Sequence, residues 1–391
     1  MNKRGVTALT FDFPVLPWLG AIAAKRKMYY CVSPRAALKG VLMNEANVNA
    51  ATVDERPLNA PDAEWKAIVL KYQKPSAPRA VWQIVNTLVP YGLLWYLMYL
   101  SLAVSWWITV PLAILAGAFL VRVFIIFHDC GHGSFFKSRG ANDVWGFLCG
   151  IMTFTPYYQW RWEHSMHHAT AGDLDRRGTG DVWTMTVHEY LNSSGWKRFA
   201  YRLARNPIVL FVLAPVYVFL IRQRFPTREA NQRDRGSVYW MNLAIMCMVV
   251  GMTSIFGLKA YLLLQLIAVM VAGSAGFWLF YVQHQFEGVY WERREEWDYV
   301  TAALQGSSFY KLPRVLQWFS GNIGFHHIHH LSPRIPNYNL EKCHNANPVF
   351  QQVKPVTLFS SFKSFTFRLW DERRRKLVGY RHLKNLRKQS G

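Results

Sequence analysis

The chain is 391 residues long, 51% hydrophobic, 16% aromatic and only 17% charged, yet it carries a formal net charge of +22. An ordinary soluble domain is neither so apolar nor so aromatic, and the pairing of these two properties points to a membrane protein with basic flanks. No recognised nucleic-acid-binding fold accompanies the charge, so no nucleic-acid partner is expected. The five cysteines, Cys31, Cys130, Cys149, Cys247 and Cys343, form no CxxC pair that would suggest an iron–sulfur cluster or a structural zinc site.

Residues 1–42 hold seven basic residues and one acid, Asp12, without clear periodicity. They are expected to be a non-native or disordered extension, with Met43 as the initiator and 43–80 as an N-terminal cytoplasmic segment. A membrane domain is expected over 81–345. Its four apolar windows, 81–102, 105–127, 238–257 and 260–283, are each long enough for a hydrocarbon core of about 30 Å, which takes roughly 20 residues at about 1.5 Å each. From Ala80 to Phe127 the only charged residue is Arg122, and from Val238 to Gln283 it is Lys259. The turns after the first and third windows are therefore very short, which predicts two helical hairpins, each beginning and ending on the same side. Of the 45 Lys and Arg residues, all but Arg122 and Lys259 lie on that side. By the positive-inside rule the N-terminal segment, 128–237 and 284–391, including a basic tail over 346–391, are cytoplasmic. Such a surface also suits anionic membrane lipids.

Two shorter apolar runs, 143–158 and 207–221, are interrupted by Pro156 and Pro215 and are too short to cross. They are expected to lie along the interface or to enter part way. Arg122 is expected to snorkel to the interface or touch a headgroup rather than act in catalysis.

The histidines gather where the windows end. His128 and His132 lie in FHDCGHGSFF after the second window, His164, His167 and His168 in WRWEHSMHHAT, and His284 in YVQHQFEGVYW after the fourth. GFHHIHHLSPRIPNY then places His326, His327, His329 and His330 within five residues. On a helix, positions i, i+3 and i+4 share a face. His128 with His132, His164 with His167 and His168, and His326 with His329 and His330 thus form three convergent sets, and His284 completes the ligand candidates. Such density is unfavourable for protonated imidazoles but suits neutral ones bound to a first-row transition metal. His327 lies one step round from His326 and is assigned to the layer behind the ligands, together with Asn322, Glu163, Asp173, Asp175 and Asp181. Pro333 and Pro336 end the third set's helix, and the chain beyond is expected to fold back over the centre and limit the access of water. His188, His344 and His382 stand alone and are read as surface or core residues.

The three boxes, HxxxH, HxxHH and HxxHH, hung from the ends of two apolar hairpins, resemble the integral-membrane fatty acid desaturases over roughly 60–345. HDCGHGSFF, HHATAGDLDRRGTGDVW, VQHQFE and GFHHIHHLSPRIPNY are similar in particular to omega-6, or delta-12, acyl desaturases. The resemblance implies an all-α integral membrane protein with four transmembrane helices as two hairpins and a cytoplasmic helical cap. It implies two non-haem iron ions held by the nine histidines, O2 as co-substrate, and a fatty acyl lipid as substrate. The expected product is a cis double bond, at delta-12 of an oleoyl chain, and the expected location is a bacterial inner membrane. No haem-attachment or dinucleotide-binding signature is present, so electrons are expected from a separate donor, a ferredoxin or small haem protein, for which a basic surface is a suitable dock.

One departure stands out. In the related acyl-CoA desaturases an Asn one helical turn before the histidine matching His284 helps hold a metal-bound water. Here Phe280 stands at that position, and Asn322, one turn before His326, is the candidate replacement. The rival enzyme class is the di-iron lipid or carotenoid hydroxylases and ketolases, which share the boxes. A non-enzymatic metal-binding or transport protein would instead place polar ligands at bilayer depth.

Overall fold

The computed structural model describes residues 62–383; the extension expected over 1–42 and the Met43 start lie outside the described residues. After a short helix, α1 (Asp62–Leu70), come two long ones, α2 (Ala77–Leu102) and α3 (Trp106–His132). Ser105 caps α3 by accepting a hydrogen bond from the Trp107 N–H. The helix does not stop where hydropathy falls at residue 127. Its backbone ladder continues through HDCGH until Gly133, whose left-handed φ of 66° forms the C-cap. The first histidine pair is thereby part of a membrane-length helix.

Two shorter helices follow, the amphipathic α4 (Arg139–Met152) and the more polar α5 (Tyr157–Thr170), the second starting after Pro156. Next come β1 (Met185–Thr186), α6 (Val187–Leu191) and α7 (Gly195–Ala204). The apolar run expected over 207–221 contains a π-helical turn at Val209–Leu213 and then α8 (Ala214–Leu220). It continues as far as Arg224 and is bent by 62° from α7. The third long helix, α9 (Gln232–Phe256), starts earlier than its apolar window because the Asn231 side chain accepts the Asp234 N–H and nucleates a polar first turn. The fourth, α10 (Leu258–His284), ends on its histidine. Among the described residues, α2, α3, α9 and α10 are the four single helices long and apolar enough to cross a membrane.

α3 is the central element: α2 and α10 both pack along it, and α4 packs against its end. Buried Met98, Ala116, Leu120, Ile126 and Phe127 form the core there. At the α3–α10 contact a Cβ added to Gly117 would stand 2.7 Å from Val271 Cβ and 3.0 Å from the Ala268 carbonyl oxygen, so the close approach requires glycine. Arg122, expected to snorkel, does not. It is buried, donates from Nε to Thr87 Oγ1 at 3.0 Å and from Nη1 to the Trp318 carbonyl, and its guanidinium lies 3.9 Å from the Trp318 ring centroid. Partners inside the protein outcompete the interface because they satisfy the guanidinium and its apolar stem together.

The remainder is short elements: α11 (Tyr299–Gln305), β2 (Phe309–Lys311), α12 (Arg314–Phe319), α13 (His326–Leu331), α14 (Asn337–Asn345), β3 (Pro355–Thr357), β4 (Leu369–Asp371) and β5 (Lys376–Val378). β2 and β3 pair in parallel, with Phe309 opposite Pro355. The other sheet has the order β1-β4-β5: β1 pairs with β4 in parallel and β4 with β5 antiparallel. The segment after 345, expected as a basic tail, is thus tied into the body up to residue 383. Trp370 on β4 is 1% exposed and joins a core with Tyr281 and Trp291. Strands this short leave no alternating pattern to read, and their partners lie far away in sequence.

Candidate metal centre

Four helices deliver the histidines. The last turn of α3 presents His128 and His132, α5 presents His164, His167 and His168, α10 ends on His284, and α13 presents His326, His329 and His330. Their ring nitrogens collect into two adjacent groups. His128, His132, His164, His168 and His329 each bring one nitrogen to within 4.8 Å of all the others, and His167, His284 and His330 do the same. His326 joins the second group, its Nε2 lying 3.0 Å from that of His284. The rings of His168 and His330, one from each group, stack with centroids 4.1 Å apart.

The outer nitrogens decide what the inner ones can do. His284 Nδ1 lies 3.2 Å from the Gly306 carbonyl oxygen; a carbonyl only accepts, so the proton is on Nδ1 and Nε2 carries a lone pair. Asp181 Oδ1, 2.6 Å from His167 Nδ1, orients that ring in the same sense. The two Nε2 atoms are 3.1 Å apart, and two lone pairs at that distance repel unless a cation stands with them. His128 Nδ1 is likewise 3.1 Å from Asp129 Oδ1, and its Nε2 lies 3.0 Å from that of His164. The Nε2 atoms of His132 and His330 are buried with no hydrogen-bond partner among the described residues. Burial, reinforced by mutual repulsion, holds His164, His168, His326, His329 and His330 well below the usual imidazole range, so these five rings are neutral at neutral pH. Neutral imidazoles fit first-row transition metals, and in His128, His167 and His284 a partner at Nδ1 fixes the ring; the Nδ1 atoms of His168, His326 and His329 are buried without a partner among the described residues.

A family model described as fatty acid desaturase matches residues 105–356. A fatty acid desaturase of Bacillus subtilis (strain 168) is 48% identical over 318 residues, 81% of this chain and 90% of the relative. The chain belongs to the fatty acid desaturase family. It is therefore an oxygen-dependent oxidoreductase of fatty acyl chains, and the family is membrane-bound. Two more distant relatives come from Synechocystis sp. An sn-1 oleoyl-lipid 12-desaturase is 27% identical over 262 residues, 63% of this chain and 71% of the relative. An sn-1 acyl-lipid omega-3 desaturase (ferredoxin) is 26% identical over 265 residues, 64% and 69% respectively.

In this desaturase all nine histidine candidates converge, whereas the residues expected behind them do not all follow. Asp181 reaches a histidine. Glu163 instead faces Arg222 at 3.6 Å, and Asp173 accepts the N–H of Asp175 at 2.9 Å and pairs with the Arg176 side chain, closing its own turn. Asp175 pairs with Arg293 at 2.6 Å. Asn322 adopts a left-handed φ of 61°, and its side-chain oxygen lies 3.4 Å from Gln317 Nε2. His327 is fully buried but turned toward Phe309 and His344, with ring centroids 5.7 and 5.4 Å away. The lone histidines have local partners: His188 meets Asn192 at 2.9 Å and His382 meets Asp371 at 2.9 Å.

Sequence reasoning missed Asp129, although it lies inside the first box. Its Oδ1 faces His128, while its Oδ2 accepts the Asn337 N–H at 2.6 Å and the Asn337 Nδ2 at 2.8 Å, clamping the start of α14 to the end of α3. Trp160, one turn before His164 on α5, stacks on it at 4.4 Å; that spacing was a readable signal. Phe280 packs against His167 and His284 at 5.0 and 5.2 Å, so at this position an apolar ring replaces a polar group.

Proposed function

We propose that this desaturase introduces a cis double bond at delta-12 of an oleoyl chain carried on a membrane lipid, using O2 and electrons from a separate ferredoxin or small haem protein. The observation that carries the reading is the pair of imidazole groups, one built on His128, His132, His164, His168 and His329 and the other on His167, His284, His326 and His330. Two iron ions held there would supply the oxygen-activating redox chemistry. Asp129, Asp181 and the Gly306 carbonyl orient the rings that would hold them. Tyr299 donates to the His330 carbonyl oxygen at 2.8 Å and steadies α13. Phe280 places an apolar ring beside His167 and His284, and a substrate radical formed there loses its second hydrogen rather than gaining a hydroxyl group derived from O2. The two hydrogens removed, two electrons from the carrier and two protons from solvent together reduce O2 to two molecules of water.

The four long helices form two hairpins with their histidine-bearing ends on the cytoplasmic side of a bacterial inner membrane, as the positive-inside bias favours. The membrane domain begins near residue 81 and runs to residue 345. The similarity to the Synechocystis oleoyl-lipid 12-desaturase and the omega-3 desaturase (ferredoxin) supports an oleoyl-lipid substrate and a ferredoxin donor.

Expression in a host that makes only saturated and monounsaturated chains, with mass spectrometry that locates double bonds, tests this. Linoleoyl lipid is expected with the wild-type chain and none with His329→Ala. Mainly 12-hydroxy acyl chains would place the protein among the hydroxylases, and activity only on supplied linoleoyl lipid, giving a triene, would correct the position.

A further inference from the structure

Away from the histidines, α7 sets Trp196, Phe199 and Leu203 on one face at i, i+3 and i+7. They are 67%, 54% and 39% exposed, and the Trp196 and Phe199 rings stack at 5.5 Å. The bent partner segment Val209–Arg224 follows and is apolar enough to pair with α7 as a membrane-entering element. Lys197, Arg198 and Arg202 flank the apolar row. A helix of this kind lies in the plane of the membrane interface, its aromatic face among the acyl chains and its basic residues at headgroup level.

Beside this row is a cleft of about 490 Å³, whose lining includes Arg198, Arg202, Arg381, Tyr190 and Tyr380 and no acidic residue. Arg202 is held in place: its Nε donates to the Tyr190 hydroxyl at 2.6 Å, and its guanidinium lies 4.8 Å from the Tyr380 ring centroid. Arg198 and Arg381 have no carboxylate partner among the described residues. The nearby acid Glu189 is engaged by Arg177 and by the Thr186 N–H. The Tyr380 hydroxyl oxygen is buried and has no hydrogen-bond partner among the described residues. Beyond Glu372 the sequence contains no Asp or Glu side chain.

We propose that the cleft binds the headgroup of an anionic phospholipid, separately from the acyl chain that is desaturated. The phosphate oxygens sit among Arg198, Arg202 and Arg381 and accept the Tyr380 hydroxyl, while the lipid's acyl chains run beside Trp196 and Phe199. The exposed apolar row favours a lipid over an acidic protein, which would supply the charge but leave the aromatic face in water.

The test uses the full-length protein in nanodiscs of equal phosphatidylcholine and phosphatidylglycerol, with the lipids retained after mild detergent extraction counted by native mass spectrometry. The wild type is expected to retain phosphatidylglycerol preferentially. Each arginine near an anionic surface is worth about fivefold, so Arg198→Gln/Arg381→Gln should reduce the preference about twenty-five-fold, while Lys354→Gln, on an exposed residue outside the cleft, leaves it unchanged. An undiminished preference in the double variant overturns the proposal. So does displacement of the retained lipid by glycerol phosphate at equal concentration, which would make the cleft a site for free phosphate. Should the double variant fold poorly, Tyr380→Phe removes a single hydroxyl and is expected to weaken retention several-fold; no change there overturns the proposal equally.

Discussion

Asp129→Asn replaces one oxygen of a buried carboxylate that serves two elements at once. Oδ1 faces His128 Nδ1 at 3.1 Å, and Oδ2 accepts both the backbone N–H and the side-chain amide of Asn337. An asparagine has one acceptor oxygen to turn either way. If it keeps the Asn337 donors, its NH2 meets the Nδ1–H of His128, donor against donor; if it serves His128, two donors at the start of α14 are orphaned. An orphaned buried donor costs about 1–3 kcal/mol, and loss of the partner behind a metal-binding histidine typically lowers metal affinity about 10–100-fold. The variant should therefore release iron to a chelator at a concentration about 10–100-fold lower than the wild type does. Metal per chain, measured by mass spectrometry across a chelator series, reads this directly. Asp173→Asn removes the same charge from a buried carboxylate that closes its own turn, and it should release metal as the wild type does. Equal release by Asp129→Asn and wild type, or an equal loss in Asp173→Asn, would refute the assignment of Asp129 as an orienting group.

Substitution of His326 by alanine should abolish product and lower bound iron from about two per chain, whereas His188→Ala, which loses only a contact to Asn192, should keep both; lipid analysis and metal counting report the two together. Cys343 is fully buried, and burial pushes its thiol up to about 12 from 9.0. At pH 8.5 only about one thiol in three thousand is then ionised, so alkylation of Cys343 in the native protein should be about a thousandfold slower than after unfolding, as peptide mass spectrometry would show. The sign follows from the raised value: the fold favours the neutral thiol, so this contribution to stability is whole below about pH 9 and is lost between about 9 and 12. Native labelling as fast as unfolded labelling would contradict it.

The parts of the fold that could be read from sequence were those with local signals. Four apolar windows mark four long helices, and histidines spaced by three and four residues mark the faces that converge. Helix ends were read less well, because hydropathy falls at a polar residue while backbone hydrogen bonding continues, as it does from Phe127 to His132 and, at the other end, from Gln232 to Val238. Long-range partners were beyond reach. Arg122 looks like a lone charge in an apolar run until Thr87 and Trp318 are brought to it, and Asp129 is an ordinary acid until Asn337, 208 residues away, meets it. The acids around Glu163 and Asp173 mislead for the opposite reason: near the boxes in sequence, they are engaged by Arg222, Arg176 and local backbone N–H groups.

The glycine contact between α3 and α10 sets a mechanical tolerance for the chemistry. Gly117 meets Val271 so closely that any side chain at 117 would clash and shift one helix against the other. His128 closes one nitrogen group at the end of α3, and His284 opens the other at the end of α10. A slip of one residue would displace them by about 1.5 Å, several times the roughly 0.2 Å that metal–ligand distances allow. The gauge that holds the two groups in step therefore lies about 17 Å from the imidazoles, at eleven residues' rise along α3. The apolar half of the molecule is the jig in which the centre is assembled, and its small residues belong to the same working unit as the histidines.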